Sequence, residues 1–125
     1  MDNETIRRIK DIEFEDMVFV VFIVIIIMSY IANDFEKKFF VYRDEEDKRT
    51  YYYLQIIIFL IIVVINIYYV LKSLKDVSTL SINDSFNRKK YAKLDLIASI
   101  SALVATSIIL YIAITDKDIE AEITL

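Results

Sequence analysis

Hydrophobic and polar positions fall into blocks along this chain instead of alternating. Three uncharged runs stand out, at residues 17–32 (MVFVVFIVIIIMSYIA), 51–71 (YYYLQIIIFLIIVVINIYYVL) and 96–115 (LIASISALVATSIILYIAIT). The segments around them are dense in Asp, Glu, Lys and Arg. The second and third runs have 21 and 20 residues, the length an α-helix needs to cross a bilayer's hydrocarbon core. The first has 16, about 24 Å of helix against a core of about 30 Å. It is expected to take in Asn33, or to sit where the bilayer thins.

Ile and Val dominate these runs and favour strands in water. However, the runs lack period-two alternation, exceed the usual strand length and contain no Gly or Pro turns. A membrane barrel would need alternating polar positions, and a soluble helix would need a polar face. Neither is present. In lipid each segment must satisfy its own backbone hydrogen bonds, which selects helices. Arg7, Arg8 and Lys10 precede the first run as in a signal peptide, but Glu13, Glu15 and Asp16 intervene. Tyr30 also spoils a small-residue cleavage site, so the run is expected to be retained as a span.

The predicted fold class is an all-α integral membrane protein with three transmembrane helices in an up-down-up bundle. Residues 1–16 form a polar N-terminal segment. Its Ile6, Ile9 and Ile12 recur every third position, which predicts a short interfacial helix with one weak apolar edge; a frayed polar tail is the competing expectation. Helix one follows at 17–33, a charged outer loop at 34–50 and helix two at 51–71. A basic inner loop at 72–95 contains the start of helix three, which spans 96–115. An acidic tail, 116–125, ends the chain.

The 125 residues are 57% hydrophobic yet 27% charged, and only segregation reconciles the two figures. The net charge of −4 leaves no basic excess for a polyanion, so no nucleic-acid partner is expected. Gly, Pro, Cys, His and Trp are all absent. Without Cys and His there are none of the usual zinc, copper or haem ligands, and no cofactor is expected. Without Gly, turns that need positive φ are disfavoured.

Charge near the helix ends carries further information. Asp44, Glu45, Glu46 and Asp47 precede the second helix, where negative charge suits its dipole. This run lacks the spacing and glycine of a calcium loop. Asn83, Asp84 and Ser85 are candidate N-caps for a third helix that starts before its apolar run. Arg88, Lys89, Lys90 and Lys93 then oppose that helix's dipole, which points to contact with anionic lipid.

The positive-inside rule places the N-terminus in the cytoplasm and the C-terminus outside the cell membrane. That arrangement keeps nine cations inside: Arg7, Arg8, Lys10, Lys72, Lys75, Arg88, Lys89, Lys90 and Lys93. It leaves six outside: Lys37, Lys38, Arg43, Lys48, Arg49 and Lys117. All nine tyrosines fall near run ends, the level an amphipathic ring prefers.

No Asp, Glu, Lys or Arg lies inside any run, which argues against ion pathways and proton relays. No nucleophile has a base beside it, so no enzymatic activity is expected. Two packing features remain. Gln55 and Asn66 lie about three turns apart on one face of helix two, where side-chain amides seek partners on another helix. Gln55 stands near the interface, where water could hydrate it. On helix three, Ala98, Ala102, Ala105, Thr106 and Ala113 share a broad stripe with small-xxx-small spacing.

These features point to an accessory, immunity-like or assembly protein that binds another membrane protein, or a second copy of itself, by helix packing. In size, span number and charged tail the whole chain also resembles phage holins. That resemblance implies a homo-oligomeric pore lined by hydroxyls such as Ser99, Thr106 and Ser107. A membrane component of a multi-subunit transporter is the third expectation.

Overall fold

The computed structural model describes residues 2–116. These form three α-helices and no strand: α1 (Asn3–Tyr42), α2 (Glu45–Ser78) and α3 (Phe86–Thr115). All three are long and apolar enough to cross a membrane. The expected acidic tail beyond Asp116 lies outside the described residues. The chain divides into two compact units, Met1–Leu54 and Gln55–Leu125.

In the first unit α1 is one uninterrupted helix of 40 residues, about 60 Å long. The separate polar segment expected at 1–16 is continuous with it. Asp2 caps the helix, its carboxylate accepting from the Thr5 backbone N–H at 2.7 Å. Hydrogen bonds from the Thr5 side chain and backbone hold the Asp2 carboxyl below its ordinary value of 3.8. Along the helix the buried residues are Val18, Ile25, Ala32 and Phe39. Their spacing of seven marks the seam of a packed helix. Flanking Phe19, Val20, Ile23 and Ile26 are each more than half exposed. Exposed positions in a soluble bundle would be polar; here they are Phe, Val and Ile.

The charged loop expected at 34–50 is almost entirely helical. Nothing between Asn33 and Tyr42 can break the helix, since Gly and Pro are absent. Lys38 also pairs with Asp34 one turn back at 3.2 Å, which supports the helix. Only Arg43 and Asp44 separate α1 from α2. Arg43 takes φ 56° and ψ 32°, and its N–H donates to the Phe39 carbonyl at 2.7 Å. This left-handed cap is normally a glycine position. Arg43 occupies it with its guanidinium over the rings of Phe39 and Phe40, at 5.5 and 5.7 Å. Asp44 then accepts from the Glu46 N–H at 2.9 Å, so α2 starts six residues before its apolar run.

In the second unit α2 continues to Ser78 and α3 begins at Phe86. Of the three candidate caps, Ser85 takes the role, its hydroxyl accepting from the Arg88 N–H at 3.1 Å. Asp84 stabilises the turn, accepting from the Ser81 N–H at 2.6 Å and pairing with Arg88 at 3.1 Å. The adjacent Ile58 and Phe59 are both fully buried, so α2 is covered over more than one face.

Candidate functional site

Within the second unit, hydrogen bonds between side chains set α2 against α3. Asn66 Nδ2 donates to Thr106 Oγ1 at 2.9 Å. Seven residues further along α2, the Ser73 hydroxyl donates to Asp95 Oδ2 at 2.9 Å and lies 3.0 Å from the Ser99 hydroxyl. Ser99 stands seven residues before Thr106. Moving forward on α2 therefore means moving back on α3, and the two helices run antiparallel. One more step of seven in the same register brings Phe59 level with Ala113, both buried. A large ring level with a methyl is the size match that close packing requires.

The protons of this seam follow from donor counting. Ser73 has one hydroxyl proton and gives it to Asp95, so Ser99 supplies the proton of the Ser99–Ser73 bond. Thr106 accepts from Asn66 and donates to the Ala102 carbonyl at 2.9 Å. Asn66, Ser73, Ser99 and Thr106 thus each have a hydrogen-bond partner inside the hairpin. Ser73 is 3% exposed, so without these bonds its hydroxyl would be stranded away from water.

Among the covered positions of α3, Ala92, Leu96, Ser99, Leu103, Thr106, Leu110 and Ala113 follow the alternating three- and four-residue steps of a heptad seam, with Ile109 and Ile112 half-covered beside them. The sequence-predicted stripe splits here. Thr106 joins the seam, whereas Ala98, Ala102 and Ala105 are exposed beside it. Alanine spacing alone could not separate the two faces, because Ala98 and Ala105 differ from the seam by a single residue. The Ser73, Asp95 and Ser99 cluster went unnoticed in the sequence, since Ser73 and Asp95 stand outside the uncharged runs. The seven-residue offsets of Ser73 from Asn66 and of Ser99 from Thr106 were the available signal.

No protein-family model, no curated protein and no solved structure matches this chain.

Gln55 differs from the hydrated position considered for it. It is 5% exposed, and its Oε1 has no hydrogen-bond partner. The helix around it, extended back to Glu45, carries it away from a frayed end. Asn66 and Gln55 thus share a face by helical spacing, but only Asn66 has its partner in the seam. The four predicted lipid-contacting cations sit on the first turns of α3. Arg88 pairs with Asp84, Lys90 lies 6.0 Å from the Tyr91 ring centroid, and Lys89 Nζ donates to the Ile82 carbonyl at 3.1 Å. Lys93 is exposed one turn beyond Lys89. Among the described residues no group of three or more acidic side chains could hold a metal ion.

Proposed function

We infer that the protein is a multi-pass membrane protein that binds another membrane protein through the outer face of α3, as an accessory, immunity-like or assembly subunit. The observation that carries this is the exposure of Ala98, Ala102 and Ala105 beside a seam already complete without them. Small side chains let a second helix approach closely in lipid, where dispersion and interhelical hydrogen bonds drive association. Ser101 is exposed on the same side. In this reading the three helices run up-down-up, with the N-terminus cytoplasmic and the C-terminus outside, as the cation distribution favours. The chain binds and positions a partner and performs no chemistry of its own.

A homo-oligomeric, holin-like pore is the alternative. It relies on Ser99, Thr106 and Ser107, and two of those hydroxyls are engaged with α2. A transporter subunit would share the partner-binding face of the first reading.

The test is extraction from native membranes in a mild detergent, followed by mass measurement of the complex. A second protein in fixed stoichiometry is expected. Ala98→Leu with Ala102→Leu should release it while leaving the α2–α3 hairpin folded, because these side chains lie outside the seam. Retention of the partner by that double variant would refute the assignment of the face. A pure homo-oligomer that leaks dye from vesicles would favour the pore.

A further inference from the structure

Where α2 ends, the chain forms an open surface cavity of about 320 Å³ lined by Val77, Leu80, Ser81, Ile82, Lys89 and Lys93. Its chemistry is divided. Val77, Leu80 and Ile82 are apolar, while Lys89 and Lys93 lie one helical turn apart on the same face of α3. Neither ammonium has a carboxylate at ion-pair distance among the described residues; Lys89 donates to the Ile82 carbonyl. Their neighbours are committed elsewhere, Arg88 to Asp84 and Lys90 to Tyr91. The Ser81 hydroxyl accepts from the Asn83 N–H at 3.2 Å, leaving its own proton free to donate. The positive end of the α3 dipole adds to the field of the two lysines.

Two further observations select the ligand. Ile82 is 93% exposed and Phe86 78% exposed, so the turn presents large apolar side chains beside the cations. Lys93 stands three residues before the third apolar run and Lys89 seven, about 5 and 10 Å along the helix. The first distance falls within the headgroup layer, about 5–7.5 Å deep on each side, and the second lies just beyond it, within reach of a long lysine side chain. A free anion would satisfy the lysines but would leave Ile82 and Phe86 in water. A ligand with an anionic head and an apolar body satisfies both.

We propose that the cavity at the α2–α3 turn is a binding site for an anionic phospholipid, with Lys89, Lys93 and Ser81 holding its phosphate and Val77, Leu80 and Ile82 lying against its apolar part. This rests on the membrane placement inferred above. It is more specific than a diffuse attraction to a charged surface, because two of the four cations carry it.

The experiment is native mass spectrometry of the full chain in detergent, titrated with phosphatidylglycerol or phosphatidylcholine. Phosphatidylglycerol is expected to bind in preference. Lys89→Gln with Lys93→Gln should weaken it about thirtyfold, from about 1 kcal/mol for each lysine at an anionic surface. The control Lys37→Gln with Lys38→Gln changes the net charge equally and should weaken it less than about threefold. Lys89→Arg with Lys93→Arg should retain binding, which separates loss of the site from loss of the fold. Equal weakening in both glutamine variants would overturn the site in favour of diffuse attraction. Displacement of the lipid by equimolar inorganic phosphate would overturn it in favour of a free-anion site. Equal binding of both lipids would overturn it while leaving the membrane placement intact, whereas recovery of the chain only in the soluble fraction would overturn that placement as well.

Discussion

The two units use the same seven-residue spacing with opposite chemistry. The seam of α1 is apolar, with Val18, Ile25, Ala32 and Phe39, while the seam of the α2–α3 hairpin inserts Asn66, Ser73, Ser99 and Thr106 at the same interval. Apolar contacts are non-directional, so a seam built from them sets which face is covered more firmly than it sets axial position. Hydrogen bonds are directional, and a slip of one turn would strand Asn66 and Ser73 without partners. The hairpin is therefore held in register, whereas the buried positions of α1 are all apolar.

The largest expected effect comes from the hairpin's best-packed ring. Phe59→Ala should cost about 3 kcal/mol in a denaturant titration of the micelle-bound chain, the lower end of the usual range for a buried ring. On the membrane placement proposed above, the lower end applies because lipid tails would solvate the ring in the dissociated state almost as well. A loss below about 1 kcal/mol would mean that Phe59 is not packed level with Ala113.

Next comes the apolar seam. Ala32 is fully buried, and Ala32→Leu should cost about 2 kcal/mol by overpacking. A neutral result in the same titration would show that the seam of α1 can shift to admit the extra volume.

A smaller energy with a larger structural consequence is expected at Asn66. Asn66→Leu should cost only about 1 kcal/mol, but it should loosen the register. Because the chain has no cysteine, a pair introduced at positions 59 and 113 reports on that register directly. The pair should cross-link efficiently with Asn66 present. In its absence, cross-links from position 59 to positions 109 and 110 should appear as well. An unchanged cross-linking pattern would remove the distinction between the two seams.

The smallest effect is at the start of α1. The Asp2 carboxyl is held below 3.8 by the Thr5 hydrogen bonds, so its contribution to the cap is present above the unfolded value and lost as pH falls through the lower folded one. An NMR titration of Asp2 should show a midpoint below 3.8, with Thr5 moving in step; a midpoint at or above that value would contradict the cap.

Much of this architecture was legible in the pattern of charge. The three apolar runs lie within the three helices, and the third helix starts at one of the caps proposed for it. What escaped was helix length. Charge density between the runs suggested loops, yet Asp34 and Lys38 are spaced to support a helix, and Arg43 supplies the left-handed cap that glycine normally would. The seam was half legible. Asn66 drew attention because an amide is costly in an apolar run. Ser73 and Asp95 drew none, because hydroxyls and carboxylates at the ends of such runs are common. Which alanines face a neighbour depends on helix rotation, and small-residue spacing does not determine rotation.

The unbroken length of α1 has a mechanical consequence. A rod about 60 Å long is roughly twice the thickness of a hydrocarbon core, so a substantial part of it projects beyond any slab of that depth. Turned about its middle by about 10°, each tip sweeps roughly 5 Å, by the geometry of a rigid rod of that length. With no glycine or proline hinge anywhere along it, little of that motion is absorbed by bending. A displacement imposed near Asp2 reappears as a countermovement near Arg43, and α1 has the proportions of a lever.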